Sequence, residues 1–155
     1  MSLLPLFVAQ RSAFETAYLK GDWRSLGGFF ADDITYEVMN MPFHCVLRGR
    51  EAVLAGFARS VERFDKLCTR TVGIDATAHE EGDNVLISAG IRFEREGAPV
   101  LTSRLWEIAT YIDGKVERLI DIYDAPDNER FVRWMEDWGA GLDPSYVDRP
   151  SGPPR

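Results

Sequence analysis

The sequence is poor in the residues that carry metal, redox and nucleotide chemistry. It has two cysteines, Cys45 and Cys68, and two histidines, His44 and His79, in 155 residues. Neither a CxxC pair nor a Cys/His cluster at zinc spacing occurs, so no disulfide framework and no metal site are signalled and reduced thiols are the expectation. A glycine-rich phosphate loop and a nucleophile elbow are also missing, so no cofactor is expected. Basic charge is scarce: 18 Lys and Arg against 25 Asp and Glu leave a net −7, a sign that repels phosphate backbones and anionic lipid. Nucleic acid and membrane are therefore excluded as expected partners. No run approaches the ~20 apolar residues of a membrane span. The first residues lack the basic leader and cleavage site of a signal peptide, and Pro5 interrupts their short apolar stretch. The chain reads as cytoplasmic.

What is present suits a folded domain. Hydrophobic residues make up 45% and charged residues 28%, values that exclude disordered, collagenous and coiled-coil classes. The length matches one domain. Residues 6–19 repeat Phe7, Phe14 and Tyr18 at helical spacing until Gly21 ends the pattern. Asp22 is placed to cap a short second helix over 23–30, which Gly27 and Gly28 weaken. Residues 34–39 have strand composition and stop at Met41-Pro42-Phe43, and Gly49 precedes an amphipathic helix over 51–64. Four strands follow, over 68–79, 85–94, 100–112 and 115–123, separated by acidic glycine-bearing turns as in an antiparallel meander. Asp127 is expected to cap a last helix carrying Phe131, Trp134, Met135 and Trp138. Residues 143–155 hold four of the eight prolines and read as a flexible tail beyond a single domain over 1–142. The order of elements gives an α+β fold with helices packed on one face of a curved sheet.

That order, with AYLKGDWRSLGGFFADDITYE, LRGREAVLAGF and YIDGKVERLIDIYDA, resembles the nuclear transport factor 2-like superfamily. The nearest groups are SnoaL-like polyketide cyclases, ketosteroid isomerases and limonene-epoxide hydrolases. The resemblance implies a cone-shaped, cystatin-like fold whose curved antiparallel sheet and helices enclose an apolar pocket, and a homodimer through the sheet. The isomerase positions fall on Phe14, Val38 and Glu107, which removes that group's tyrosine and base. Of the epoxide-hydrolase set, the last Asp falls on Asp121, with Tyr36 and Asn40 as water holders, but the central Arg and first Asp fall on Ala89 and Ile91. A cyclase needs one pocket carboxylate, and Asp121 fits that role.

Asp121 sits among Leu119, Ile120, Ile122 and Tyr123, where a carboxylate either faces water beside Arg118 or Arg104 or occupies an apolar pocket with a raised pKa. Glu107 is the second unusual charge. A two-residue Asp113-Gly114 turn puts Glu107 and Asp121 on opposite faces; a three-residue turn with a glycine bulge puts them on one face, and the sequence leaves both open. A surface Glu107 paired with an arginine is the competing reading. His44, in a loop near the cavity mouth, is placed to shuttle protons or is simply exposed, and His79 belongs to the surface. Phe14, Tyr18, Tyr36, Val38, Asn40, Phe57, Leu105, Tyr123 and Trp134 are assigned to the ligand wall, and Ile120 and Ile122 to the dimer face. The expected function is a small cofactor-independent enzyme, of isomerase, cyclase or dehydratase type, moving a proton on an apolar or polycyclic molecule. Its alternative is a non-catalytic ligand-binding or dimerisation module of the same fold.

Overall fold

The computed structural model describes residues 1–148. Three α-helices, α1 (Leu4–Lys20), α2 (Arg50–Arg63) and α3 (Ala125–Trp138), surround one six-stranded sheet. Its strands are β1 (Phe30–Met39), β2 (Cys45–Arg48), β3 (Thr69–Glu81), β4 (Asn84–Glu94), β5 (Leu101–Ile112) and β6 (Lys115–Ile122), in the order β2-β1-β6-β5-β4-β3. The expected meander is β3 to β6. The sequence reading lacked β2 and the parallel pairing of β1 with β6, which makes the sheet mixed rather than wholly antiparallel. Among the described residues, no helix is long and apolar enough to cross a membrane.

The curvature has identifiable causes. Between Thr71 and Thr77 the β3–β4 register slips twice, so β3 carries two extra residues against β4. Gly73 and Asp75 there take positive φ, and a Cβ on Gly90 opposite would meet the Ile74 carbonyl at 3.2 Å. Bulges of this kind bend and twist a strand, and the glycine lets the backbones close up. The sheet's inner side and the apolar sides of the helices form one core that includes Phe30, Ile34, Val53, Val85, Ala109 and Val116.

Local expectations fail where two candidates compete. The segment after Asp22 is a short 3-10 helix, Trp23–Phe29, and the Asp22 side chain caps nothing; its carbonyl accepts from Ser25 Oγ at 2.7 Å. The cap of α3 is Asp124, whose Oδ1 accepts from the Asp127 N–H at 2.8 Å. Asp127 lies inside the first turn, 2% exposed, and accepts from Arg104 N at 2.9 Å and from Arg130. Residues 143–148, the start of the expected tail, pack along α2. The remainder of that segment lies outside the described residues.

Candidate functional site

The helices and the sheet's inner side enclose a cavity of about 520 Å³. Its walls are largely apolar and include an aromatic cluster: Phe7 and Phe14 from α1, Phe57 from α2 and Phe64 just after it, Phe43 ahead of β2 and Phe131 from α3. Edge-to-face contacts hold them, as between Phe14 and Phe57 (5.5 Å) and between Phe43 and Phe131 (5.1 Å). The cavity opens beside α1, where Val8 is exposed and Arg11 and Glu15 are each about a third exposed.

The two unusual carboxylates meet in this cavity. The Asp113-Gly114 turn has two residues, both at positive φ, with Ile112 paired to Lys115. That turn alone would have separated the carboxylates, yet the register slips between Thr110 and Tyr111, leaving Glu117 as an extra residue on β6. The slip of one residue flips every later side chain to the other face. Glu107 therefore sits directly opposite Asp121, and both line the cavity. The outcome combines the short turn with the convergent carboxylates.

Asp121 is 6% exposed. Its Oδ2 accepts from the Tyr36 hydroxyl at 2.6 Å, while Oδ1 is buried with no donor among the described residues. Neither arginine weighed as its partner reaches it: Arg104 donates to Ser88 Oγ and to the Asp75 carbonyl, and Arg118 lies 3.9 Å from Glu37. Burial in the apolar cavity raises the Asp121 pKa well above the usual carboxylate value. The charge of Glu107 and proton sharing with it raise it further, against the hydrogen bond from Tyr36 and the charge of Arg11. Glu107, 7% exposed, makes no ion pair among the described residues, which removes the surface-pair reading.

The sequence reading placed twelve residues here, and seven line the cavity: Phe14, Tyr36, Phe57, Leu105, Glu107, Asp121 and Tyr123. Five do not. Val38 is core beside the cavity, 2% exposed. Tyr18 lies outside it under the Arg70 guanidinium, 4.0 Å from the ring centroid. Asn40 is exposed at positive φ and donates to the Tyr123 carbonyl at 3.0 Å. Trp134 spends its indole N–H on the Pro99 carbonyl at 2.8 Å. His44 is exposed, its Nδ1 3.0 Å from the Met41 carbonyl, and it is not among the residues that line the cavity.

Gln10, Arg11 and Tyr146 are among the cavity residues that the sequence analysis does not assign. Gln10 is 3% exposed, lines the cavity, and its amide makes no hydrogen bond to another described residue. The signal was there, a single polar residue in the apolar stripe Phe7, Gln10, Phe14, Ala17. Arg11 places a positive charge near Asp121, and Tyr146 enters from beyond α3. At the open end, Arg70 bridges Glu15 at 2.5 Å and Asp65 at 3.6 Å, and burial still pushes Asp65 up to about 6. Among the described residues, no three His, Cys, Asp or Glu side chains gather as a metal site.

Comparison with known proteins agrees with the architecture. The family model for the SnoaL-like domain matches residues 11–134, and the chain belongs to that family, within the nuclear transport factor 2-like superfamily. The fold is similar to an LEH-like epoxide hydrolase of M. tuberculosis (18% identity, TM-score 0.61, 85% of this chain and 93% of that one). It is also similar to a protein of ketosteroid isomerase-like fold from Catenulispora acidiphila (23%, 0.61, 83% and 95%) and to TerC co-crystallised with polyporic acid (15%, 0.63, 83% and 97%). At these identities the likeness is one of fold. No curated protein matches the sequence.

Proposed function

We propose that the chain is a cofactor-independent enzyme that moves a proton beside the carbonyl of an apolar, polycyclic small molecule, with Asp121 as its acid–base group. The observation that carries this reading is the state of one carboxyl in an apolar cavity: among the described residues Oδ2 is held by Tyr36, and the buried Oδ1 meets no donor other than a proton shared with Glu107. A raised pKa brings such a group toward the range where it accepts and returns a proton at neutral pH. Ionised Asp121 takes a proton from the carbon next to the carbonyl, and the C–H electrons move onto the carbonyl oxygen. The Gln10 amide and the cation of Arg11, both in the cavity wall, favour the negative charge that develops there. Asp121 then returns the proton to a different carbon as the oxyanion electrons move back, or passes it to a leaving group that those electrons expel, and either route restores the carboxylate. Tyr36 cannot serve that oxyanion while its hydroxyl proton points at Asp121. Fold neighbours named as an epoxide hydrolase and crystallised with polyporic acid support a small-molecule role.

The test uses 2-tetralone, an apolar bicyclic ketone, and then a panel of larger fused-ring ketones in deuterated buffer, with exchange of the α-hydrogens followed by proton NMR. The protein should accelerate exchange above buffer for members of the panel. Tight binding with no exchange above buffer for any member overturns the enzyme reading and leaves a binding module.

The same reading extends to assembly as a homodimer. Trp106, 38% exposed, pairs with Ile122 on the sheet's outward side near Met39, itself 38% exposed, while Ile120 beside them is already buried. Apolar surface of this kind on a sheet is suited to a second sheet. Sedimentation at micromolar concentration should show a dimer, and Trp106→Arg should shift it to monomer. A wild-type chain that stays monomeric removes the claim.

A further inference from the structure

One face of α2 is not explained by the core. Gly56, Arg59, Ser60 and Arg63 recur at i, i+3, i+4 and i+7, so they form one stripe along the helix. Every member of it meets residues 143–148. Arg59 donates to Asp143 Oδ2, to the Ser145 carbonyl and to Asp148 Oδ1, each at 2.9 Å. Ser60 Oγ donates to the Pro144 carbonyl at 2.8 Å, and the Arg63 carbonyl accepts from the Asp143 N–H at 3.0 Å. A Cβ at Gly56 would stand 3.3 Å from the Tyr146 carbonyl and 2.6 Å from Leu47 Cδ1, so only glycine lets the strap lie this close without a shift.

The strap delivers one side chain to the cavity. The Tyr146 ring stands edge-on to Tyr36 with centroids 5.2 Å apart and tilted against Phe43 at 6.2 Å. Tyr36 is thus held between two rings, Tyr146 and Phe57 (5.1 Å). These residues follow α3 and lie beyond the stretch that the family model matches. We propose that residues 143–148 are a built wall of the site and that Tyr146 is a positioning residue, whose ring keeps Tyr36 on Asp121 and keeps water from that carboxyl. The proposal deepens the acid–base reading and rests on it only for the importance of Asp121, since the wall itself is defined by the contacts on α2.

The experiment follows the Asp121 carboxyl by carbon-13 NMR titration in the wild-type chain, Tyr146→Phe and Tyr146→Ala. Tyr146→Phe keeps the ring and should leave the midpoint in place. Tyr146→Ala admits water and should lower the midpoint by about one unit, because relief of desolvation favours the charged form. Arg59→Gln, which loosens the strap without touching the cavity, should move it in the same direction and provides the readout if Tyr146→Ala fails to fold. An Asp121 midpoint equal to wild type in both Tyr146→Ala and Arg59→Gln overturns the proposal. Tight ketone binding without exchange would remove the enzyme reading and leave this titration result standing, so the two failures are separable.

Discussion

Asp121→Asn is expected to lower any proton-transfer rate of this protein by a hundredfold or more, since a positioned acid–base group contributes roughly 10²–10⁴. The fold should survive, because Asn keeps the shape and its side-chain oxygen can still accept from Tyr36, 2.6 Å away in the parent. Stability should even rise above about pH 4. The folded pKa of Asp121 is raised, so between the unfolded value of ~3.9 and the folded one the native chain binds more protons than the unfolded chain. Stability supplied by the neutral carboxyl is fully present below that window and is lost as pH rises through it. The variant has no such slope. Melting temperatures measured from pH 4 to 8 should therefore diverge upward in favour of Asp121→Asn. A variant less stable by several degrees at pH 7 would mean an ionised, paired Asp121, contrary to the unpaired Oδ1.

The largest effect on stability is expected at Phe57→Ala. Phe57 is 5% exposed and its ring meets Phe14, Phe30 and Tyr36 at 5.5, 6.1 and 5.1 Å. Removing a buried phenylalanine costs about 3–5 kcal/mol. The lower end applies here, because Phe57 borders an existing cavity and part of its surface has no packing partner to lose. A loss of about 3 kcal/mol lowers the melting temperature of a chain this size by roughly 6–12 °C. Thermal denaturation checks it; a fall of less than about 2 °C would show a cavity wall that repacks freely.

These expectations use positions that the sequence disclosed unevenly. Phe57 was legible because α2 repeats its apolar residues at helical spacing, a signal complete within fourteen residues. The convergence of Glu107 and Asp121 was not. It depends on an extra residue at Glu117, and a bulge is set by how two strands fit across a whole sheet rather than by the turn that joins them. β2 was missed because four residues after a proline-containing loop give too short a pattern, and its partner β1 supplies the pairing. The cap of α3 could have been read correctly: Pro126 in the first turn marks Asp124, just before it, as the cap in preference to Asp127. Proline content made 143–148 look like a tail, yet Tyr146 is an aromatic anchor there, and its dock on α2 is more than 80 residues away in sequence. Composition describes a segment by itself; docking depends on a distant surface with matching hydrogen-bond groups.

Burial in the cavity and the neighbouring Glu107 raise the Asp121 pKa, so its carboxyl is expected to keep its proton above the pH at which a carboxyl usually loses it. The most direct measurement is a carbon-13 titration of the Asp121 side chain in the unmodified protein. A midpoint well above ~3.9 is predicted, rising further in Tyr36→Phe, because the Tyr36 hydrogen bond favours the ionised form. A midpoint at or below the ordinary value, unmoved by the loss of the Tyr36 hydroxyl, would contradict it.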